Sequence, residues 1–202
     1  MTRLALTFDD GPGPWTAPIL DLLKAHDAHA TFFLIGQRVD EHPDVVRRIV
    51  AAGHELGNHT FSHPWLARDC ADDAVYEELR RANEAIACVA GEPPRRFRAP
   101  HYDVDARVER IAAGLDLTHT RGDVTPPDWR EGIGAQVLAT LILQQARADA
   151  VIGLHDGIPP KARGSTGATR ETTVEAVRLV LPRLVERGHT LTTASGILGS
   201  GK

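Results

Sequence analysis

Two aspartates stand side by side at positions 9 and 10, directly after the apolar run 4–8 and before Gly11-Pro12-Gly13-Pro14. Adjacent carboxylates repel, so a pair at the end of a strand needs a cation close by, or one of the two must keep its proton. The same dipeptide ahead of Gly-Pro is also an ordinary turn signal. Further along, His59-Thr60-Phe61-Ser62-His63 places two imidazoles at i and i+4. On a helix these would lie one above the other, as two ligands of one ion must. Two nitrogens and one strand-end carboxylate make a three-ligand set with positions left open for water. That is the pattern of a catalytic rather than a structural zinc site. Arg98 and His155 also close apolar runs. Each has an ordinary reading, as a surface arginine and as a hydrogen-bonded core histidine. Their shared position is what matters, because parallel α/β folds build their active sites at the carboxyl ends of strands.

The elements that must hold these residues are legible as an alternation. Short apolar runs at 4–8, 31–35, 54–58, 96–99, 115–120, 151–155 and 190–194 read as strands. Between the first two, Ile19, Leu22, Leu23 and His26 recur at the period of one helical face. Val45, Val46, Ile49 and Val50 mark a second helix closed by Gly53, and Val75, Leu79, Ala82, Ile86 and Val89 mark a third. Further helices are expected over 105–113, 135–148 and 173–187. Strands separated by helix-length connections are parallel neighbours joined by crossovers. The pattern therefore predicts an α/β domain, either a doubly wound sheet or a barrel related to the eightfold β/α type. One catalytic domain is expected over 1–198, with 199–202 as a flexible tail and 157–172 as a long surface loop.

Composition narrows the function. The chain has 202 residues, 42% of them apolar, and a net charge of −4 with both signs interspersed, which suits one globular core. No basic block points to nucleic acid, and no Gly-rich phosphate loop points to a nucleotide. Cys70 and Cys88 have no metal-ligand spacing and read as semi-buried thiols. No apolar run approaches the roughly 20 residues that span a bilayer. The chain as written is expected to be soluble and cytoplasmic, and a trimmed secreted form would look the same.

The sequence also bears a resemblance. Thr7-Phe8-Asp9-Asp10-Gly11-Pro12 and His59-Thr60-Phe61-Ser62-His63 resemble the first two signature motifs of the polysaccharide deacetylases of carbohydrate esterase family 4. The similarity continues in order through Arg98-Ala99-Pro100, Asp128-Trp129 and Leu154-His155-Asp156. It implies a single-domain distorted (β/α) barrel, usually of seven parallel strands, which agrees with the seven runs above. It also implies a divalent metal, zinc with cobalt or nickel as alternatives, held by Asp10, His59 and His63. It further implies that Asp9 takes a proton from the attacking water and that Arg98 holds Asp9. His155, protonated and held by Asp128, would donate to the departing nitrogen. The backbone N–H of His101 would face the developing oxyanion, and Tyr102, Trp129 and Leu154, with His101, would line the substrate.

Three departures from the family pattern concern that lining. His101 stands where an aromatic residue is usual and Tyr102 where glycine is usual. Asp123 and Asp128 are spaced more widely than the usual aspartate pair, so Asp123 competes for the role beside His155. Gly153 replaces a leucine that helps line the acetyl pocket, which hints at a larger acyl group. The expected activity is metal-dependent removal of an acetyl group from an amino-sugar nitrogen, on an oligosaccharide or a small metabolite. A non-sugar amide or cyclic imide hydrolase, a sugar O-acetyl esterase and a non-catalytic sugar-binding module stand as alternatives.

Overall fold

The computed structural model describes residues 2–160 and 169–199 and shows seven parallel strands flanked by helices. In chain order these are β1 (Thr2–Gly11), α1 (Thr16–Ala25), β2 (Ala30–Leu34), α2 (Gly36–Glu41), α3 (Pro43–Ala51), β3 (Glu55–Asn58), α4 (Leu66–Asp69), α5 (Asp72–Ala90), β4 (Arg96–Phe97), α6 (Ala106–Ala113), β5 (Thr118–His119), α7 (Ala135–Gln145), β6 (Val151–His155), α8 (Glu171–Glu186), β7 (His189–Thr192) and α9 (Ala194–Leu198). The sheet runs β5-β4-β3-β2-β1-β6, and β7 joins the early part of β1. It curls into an incomplete barrel. The segment after β5 bridges the gap: Asp123 donates to the Val151 carbonyl, and Gly153 donates to the Val124 carbonyl.

Alternation along the strands sends side chains to two different surroundings. Leu4, Leu6, Phe8, Phe32, Leu34, Ile152 and Leu154 point outward into one apolar layer shared with the helices. Phe97 packs with Leu66, Val75, Leu79, Val108 and Leu117 in a second, smaller cluster. The opposite set points into the barrel and forms layers. In the lowest layer Thr31 donates to Glu55 at 2.6 Å, and buried Arg96 donates to Ser195 at 2.7 Å, with Glu55 3.6 Å away. Above it the Arg98 guanidinium lies 4.2 Å over the Phe33 ring. The uppermost inward positions, at the carboxyl ends, are Asp9 and His155.

Most expected elements are present, with three differences. The short helices α2, α4 and α9 have no counterpart in the apolar periodicity. The run 190–194 stops as a strand at Thr192, because the Thr193 hydroxyl caps α9 by accepting the Gly196 N–H. The paired parts of β4 and β5 are only two residues each, shorter than the runs 96–99 and 115–120. Residues 161–168 of the expected loop and 200–202 of the expected tail lie outside the described residues.

Phe33 fills the barrel so completely that a Cβ on Gly57 would lie 2.3 Å from its ring. Gly57→Ala should therefore lower stability by about 1–3 kcal/mol through overpacking. Adding Phe33→Leu should recover part of that loss, read as the midpoint of urea unfolding.

Candidate active site

The two aspartates reach the same site because the strand is irregular between them. Asp9 pairs with Phe33 and Gly11 with Leu34, which leaves Asp10 as an extra residue in a β-bulge. Its φ is +72, a left-handed conformation that only a local constraint holds in a non-glycine residue. A regular strand would turn neighbouring side chains to opposite faces; the bulge re-aims one of them.

Asp10 Oδ1 lies 3.1 Å from His63 Nε2 and 3.4 Å from His59 Nε2. Among the described residues these three are the group whose donor atoms converge, all within 4.8 Å of one another. The chemistry of that convergence asks for a cation. His59 Nδ1 sits 2.8 Å from the Arg98 carbonyl oxygen, which can only accept, so Nδ1 carries the proton. The neutral ring then turns the lone pair of Nε2 toward Asp10. Asp10 Oδ1 is buried and makes no hydrogen bond of acceptable geometry, although an unpaired buried oxygen is costly. A divalent ion satisfies the oxygen and the nitrogens together, and the carbonyl behind His59 is the usual outer support of such a ligand. Burial alone would raise the Asp10 carboxyl. Imidazoles protonated at Nε2 of His59 and His63 would, with the charge of His155, outweigh it and hold the group well below the usual carboxylate range; with His59 neutral, that task falls to a cation.

The expectation that His59 and His63 share a helical face is not met. Residues 59–63 form an irregular loop, with φ of +66 at Thr60 and +62 at His63. Side chains take the backbone groups that a helix would have used. Asn58 Oδ1 accepts from Thr60 N–H at 2.7 Å, and Thr60 Oγ1 accepts from His63 N–H at 3.0 Å. Glu78, on α5, accepts from the N–H groups of Phe61 and Ser62 and from the Ser62 hydroxyl. Asn58 in turn donates to Leu79 and Asn83 of α5. Asn58 was detectable as a polar residue ending a strand just before His59. Glu78 had one signal, a carboxylate three residues after Val75 and four before Ala82, beside the apolar stripe of α5, where it is half-buried.

Beside this group, Arg98 is fully buried and donates through Nη1 to Asp9 at 2.7 Å and to Thr7 at 2.8 Å. Its Nε donates to the Thr120 carbonyl. Across the cleft, His155 Nδ1 is 2.7 Å from Asp128 Oδ1, and Asp128 Oδ2 accepts from His155 N–H and the Thr173 hydroxyl. Burial favours the neutral imidazole. Asp128 overrides it by charge and hydrogen bond, reinforced by Asp10 and Asp9, and pushes His155 up to about 9. Asp123 does not face His155; its Oδ2 accepts from Val151 N–H at 2.8 Å and fixes the start of β6.

The expected substrate lining is placed less evenly. Trp129 is half exposed, with its ring centroid 5.3 Å from that of His155 in an edge-to-face arrangement. His101 stacks on Trp65 at 3.9 Å and meets His63 edge-on, outside the converging donor group. Among the described residues nothing accepts its backbone N–H. Leu154 is a correction. Alternation along β6 turns it away from His155 into the fully buried outer layer, so it cannot line the cleft. Gly153 is a second: the space at its Cβ position is already filled, with the Tyr102 hydroxyl 3.1 Å away. It does not enlarge an acyl pocket.

The polysaccharide deacetylase family profile matches residues 2–120. A chitooligosaccharide deacetylase of Rhizobium leguminosarum bv. trifolii is 43% identical over 197 residues, spanning 94% of this chain and 88% of that protein. A peptidoglycan-N-acetylglucosamine deacetylase of Bacillus cereus is 32% identical over 198 residues, spanning 96% and 87%. The structure of a family 4 acetyl xylan esterase from Clostridium thermocellum, in complex with a cobalt ion, superposes with a TM-score of 0.85. It is 32% identical and covers 97% of this chain and 90% of that one.

Because Glu78 holds the loop that carries both imidazoles, Glu78→Ala should weaken affinity for a divalent cation by about 10–100-fold. Chelator competition measures the change, and the far-ultraviolet circular dichroism should stay that of the parent.

Proposed function

The chain belongs to the polysaccharide deacetylase family, and from that premise we propose that it hydrolyses the acetamide of an N-acetylated amino sugar, with a chitooligosaccharide as the substrate class. Relatives named as chitooligosaccharide and peptidoglycan deacetylases across nearly the whole chain support the amino-sugar substrate. The observation that carries the reading is the convergence of Asp10, His59 and His63 beside a free carboxylate, Asp9, and opposite His155.

Asp10, His59 and His63 hold a divalent cation, zinc in this reading. When bound, such an ion polarises a carbonyl and lowers the pKa of a bound water from 15.7 to roughly 7. The remaining work belongs to the protein. Asp9 accepts the proton of the attacking water, and Arg98 keeps its carboxylate aimed. The His101 N–H meets the charge that develops on the carbonyl oxygen. His155 gives its proton to the amide nitrogen, because an amine leaves poorly as an anion. Asp128 binds Nδ1, so Nε2 is the nitrogen left to face the substrate. Trp129 supplies an apolar wall for the sugar.

Two outcomes test the roles of the residues. Asp9→Asn should lower turnover by about 10²–10⁴-fold while metal content stays stoichiometric; full activity in that variant rules out the base. The pH dependence has a definite sign. A histidine raised to about 9 carries its proton below that pH and loses it above. The alkaline limb of kcat/KM should therefore fall near pH 9, and Asp128→Asn should move it down toward the ordinary histidine value of about 6.5. Acetate release from N-acetylated chitooligosaccharides, measured in parallel with acetylated xylan, identifies the substrate; release from xylan alone would replace the deacetylase reading with an esterase.

A further inference from the structure

His101 and Tyr102 occupy consecutive left-handed conformations, with φ of +58 and +54. Non-glycine residues adopt this conformation at a cost, so a pair of them needs something to hold it. The two rings leave the turn in different directions. His101 stacks on Trp65. Tyr102 reaches toward β6, where its hydroxyl would lie 3.1 Å from a Cβ on Gly153 and 3.0 Å from one on Gly122. Both positions are glycine, and neither has a positive φ that would require it. The missing side chains make room for one hydroxyl. That same Gly153 Cβ position is 3.6 Å from Arg98 Nη1, the nitrogen that holds Asp9. Arg98 Nη2 is buried without a hydrogen-bond partner. The aim of the guanidinium therefore depends on what packs around it as well as on its bonds. Burial raises the Tyr102 hydroxyl to about 12, so it stays protonated and neutral beside the arginine.

We propose that Tyr102 is a positioning residue for the Arg98–Asp9 pair, seated in a slot that Gly122 and Gly153 leave open. Its hydroxyl end stands where a side chain from β6 would otherwise stand, and so keeps Nη1 turned to Asp9. It acts through Arg98 and needs no contact with the reacting atoms. The kinetic part of this inference rests on the deacetylase reading; its structural part does not.

The test is a cycle between positions 102 and 153, read as kcat and KM for acetate release with metal content verified. Tyr102→Ala should lower kcat by roughly tenfold or more, with KM changed by less than about twofold, because a small displacement of the base is costly. Gly153→Val with Tyr102 in place should also lower kcat, since the two side chains compete for one space. In the Tyr102→Ala background the same valine should refill the slot and restore kcat to within about threefold of the parent. That reversal of sign is the signature. A valine equally harmful in both backgrounds, or Tyr102→Ala with unchanged kcat, overturns the proposal. If Gly153→Val does not fold, Tyr102→Phe decides: losing only the hydroxyl at the tip, it should keep a kcat clearly above that of Tyr102→Ala, and a loss equal to that of Tyr102→Ala is contrary. The crystal structure of Tyr102→Ala reads the slot without turnover. Displacement of Nη1 from Asp9 supports the proposal, and an unmoved guanidinium at 2.7 Å contradicts it. A parent protein that releases no acetate with metal bound would sink the functional reading and leave this structural test decisive.

Discussion

A guanidinium taken wholly out of water must be paired and packed on every side, since an uncompensated buried charge costs several kcal/mol. Arg98 meets most of that requirement, with Nη2 alone left without a hydrogen-bond partner, and its contacts organise the rest of the molecule. Its side chain binds Asp9 and Thr7 and lies on Phe33, which fills the barrel. Its main-chain carbonyl takes the Nδ1 proton of His59. One residue thus fixes the direction of the Asp9 carboxylate and the tautomer of the His59 imidazole. The barrel interior that permits this is polar by design of the strand alternation: apolar side chains go outward to the helices, and the inward row climbs from the Glu55–Arg96 layer to Asp9 and His155.

The two carboxylate–base pairs show how burial separates their tasks. Asp9 is bound to Arg98, a permanent cation that aims its carboxylate. His155 is bound to Asp128, which keeps it charged despite the burial that would discharge it. Groups of opposite proton habit facing one cleft are what acid–base hydrolysis needs at a single pH. The irregular backbone at the site serves the same end. The bulge at Asp10, the capped loop at 59–63 and the left-handed turn at His101 each aim a group where regular structure would not.

How much of this was legible in the sequence follows from what each feature depends on. The seven strands and the long helices were visible because burial imposes periods of two and 3.6 on apolar residues. Asp9, Asp10, His59, Arg98 and His155 were visible because each ends an apolar run. The short helices were not, since α4 and α9 follow from local caps and packing rather than from an amphipathic stripe. The i, i+4 spacing of the histidines suggested a helix, but Asn58 and Glu78 supply competing acceptors that no periodicity announces. Leu154 was placed at the substrate by its neighbour in the chain, and alternation sends it the other way. Gly153 looked like a vacancy in one dimension; in three, a tyrosine from a distant turn occupies it.

The central claim is that Asp10, His59 and His63 hold one ion on which hydrolysis depends, and titration of metal-stripped protein with zinc tests it most directly. Acetate release from an N-acetylated chitooligosaccharide should be absent at the start, rise in proportion to added zinc and level off at one equivalent per chain. Full release by protein proven free of metal, or a plateau at one bound zinc with no acetate formed, would contradict the account.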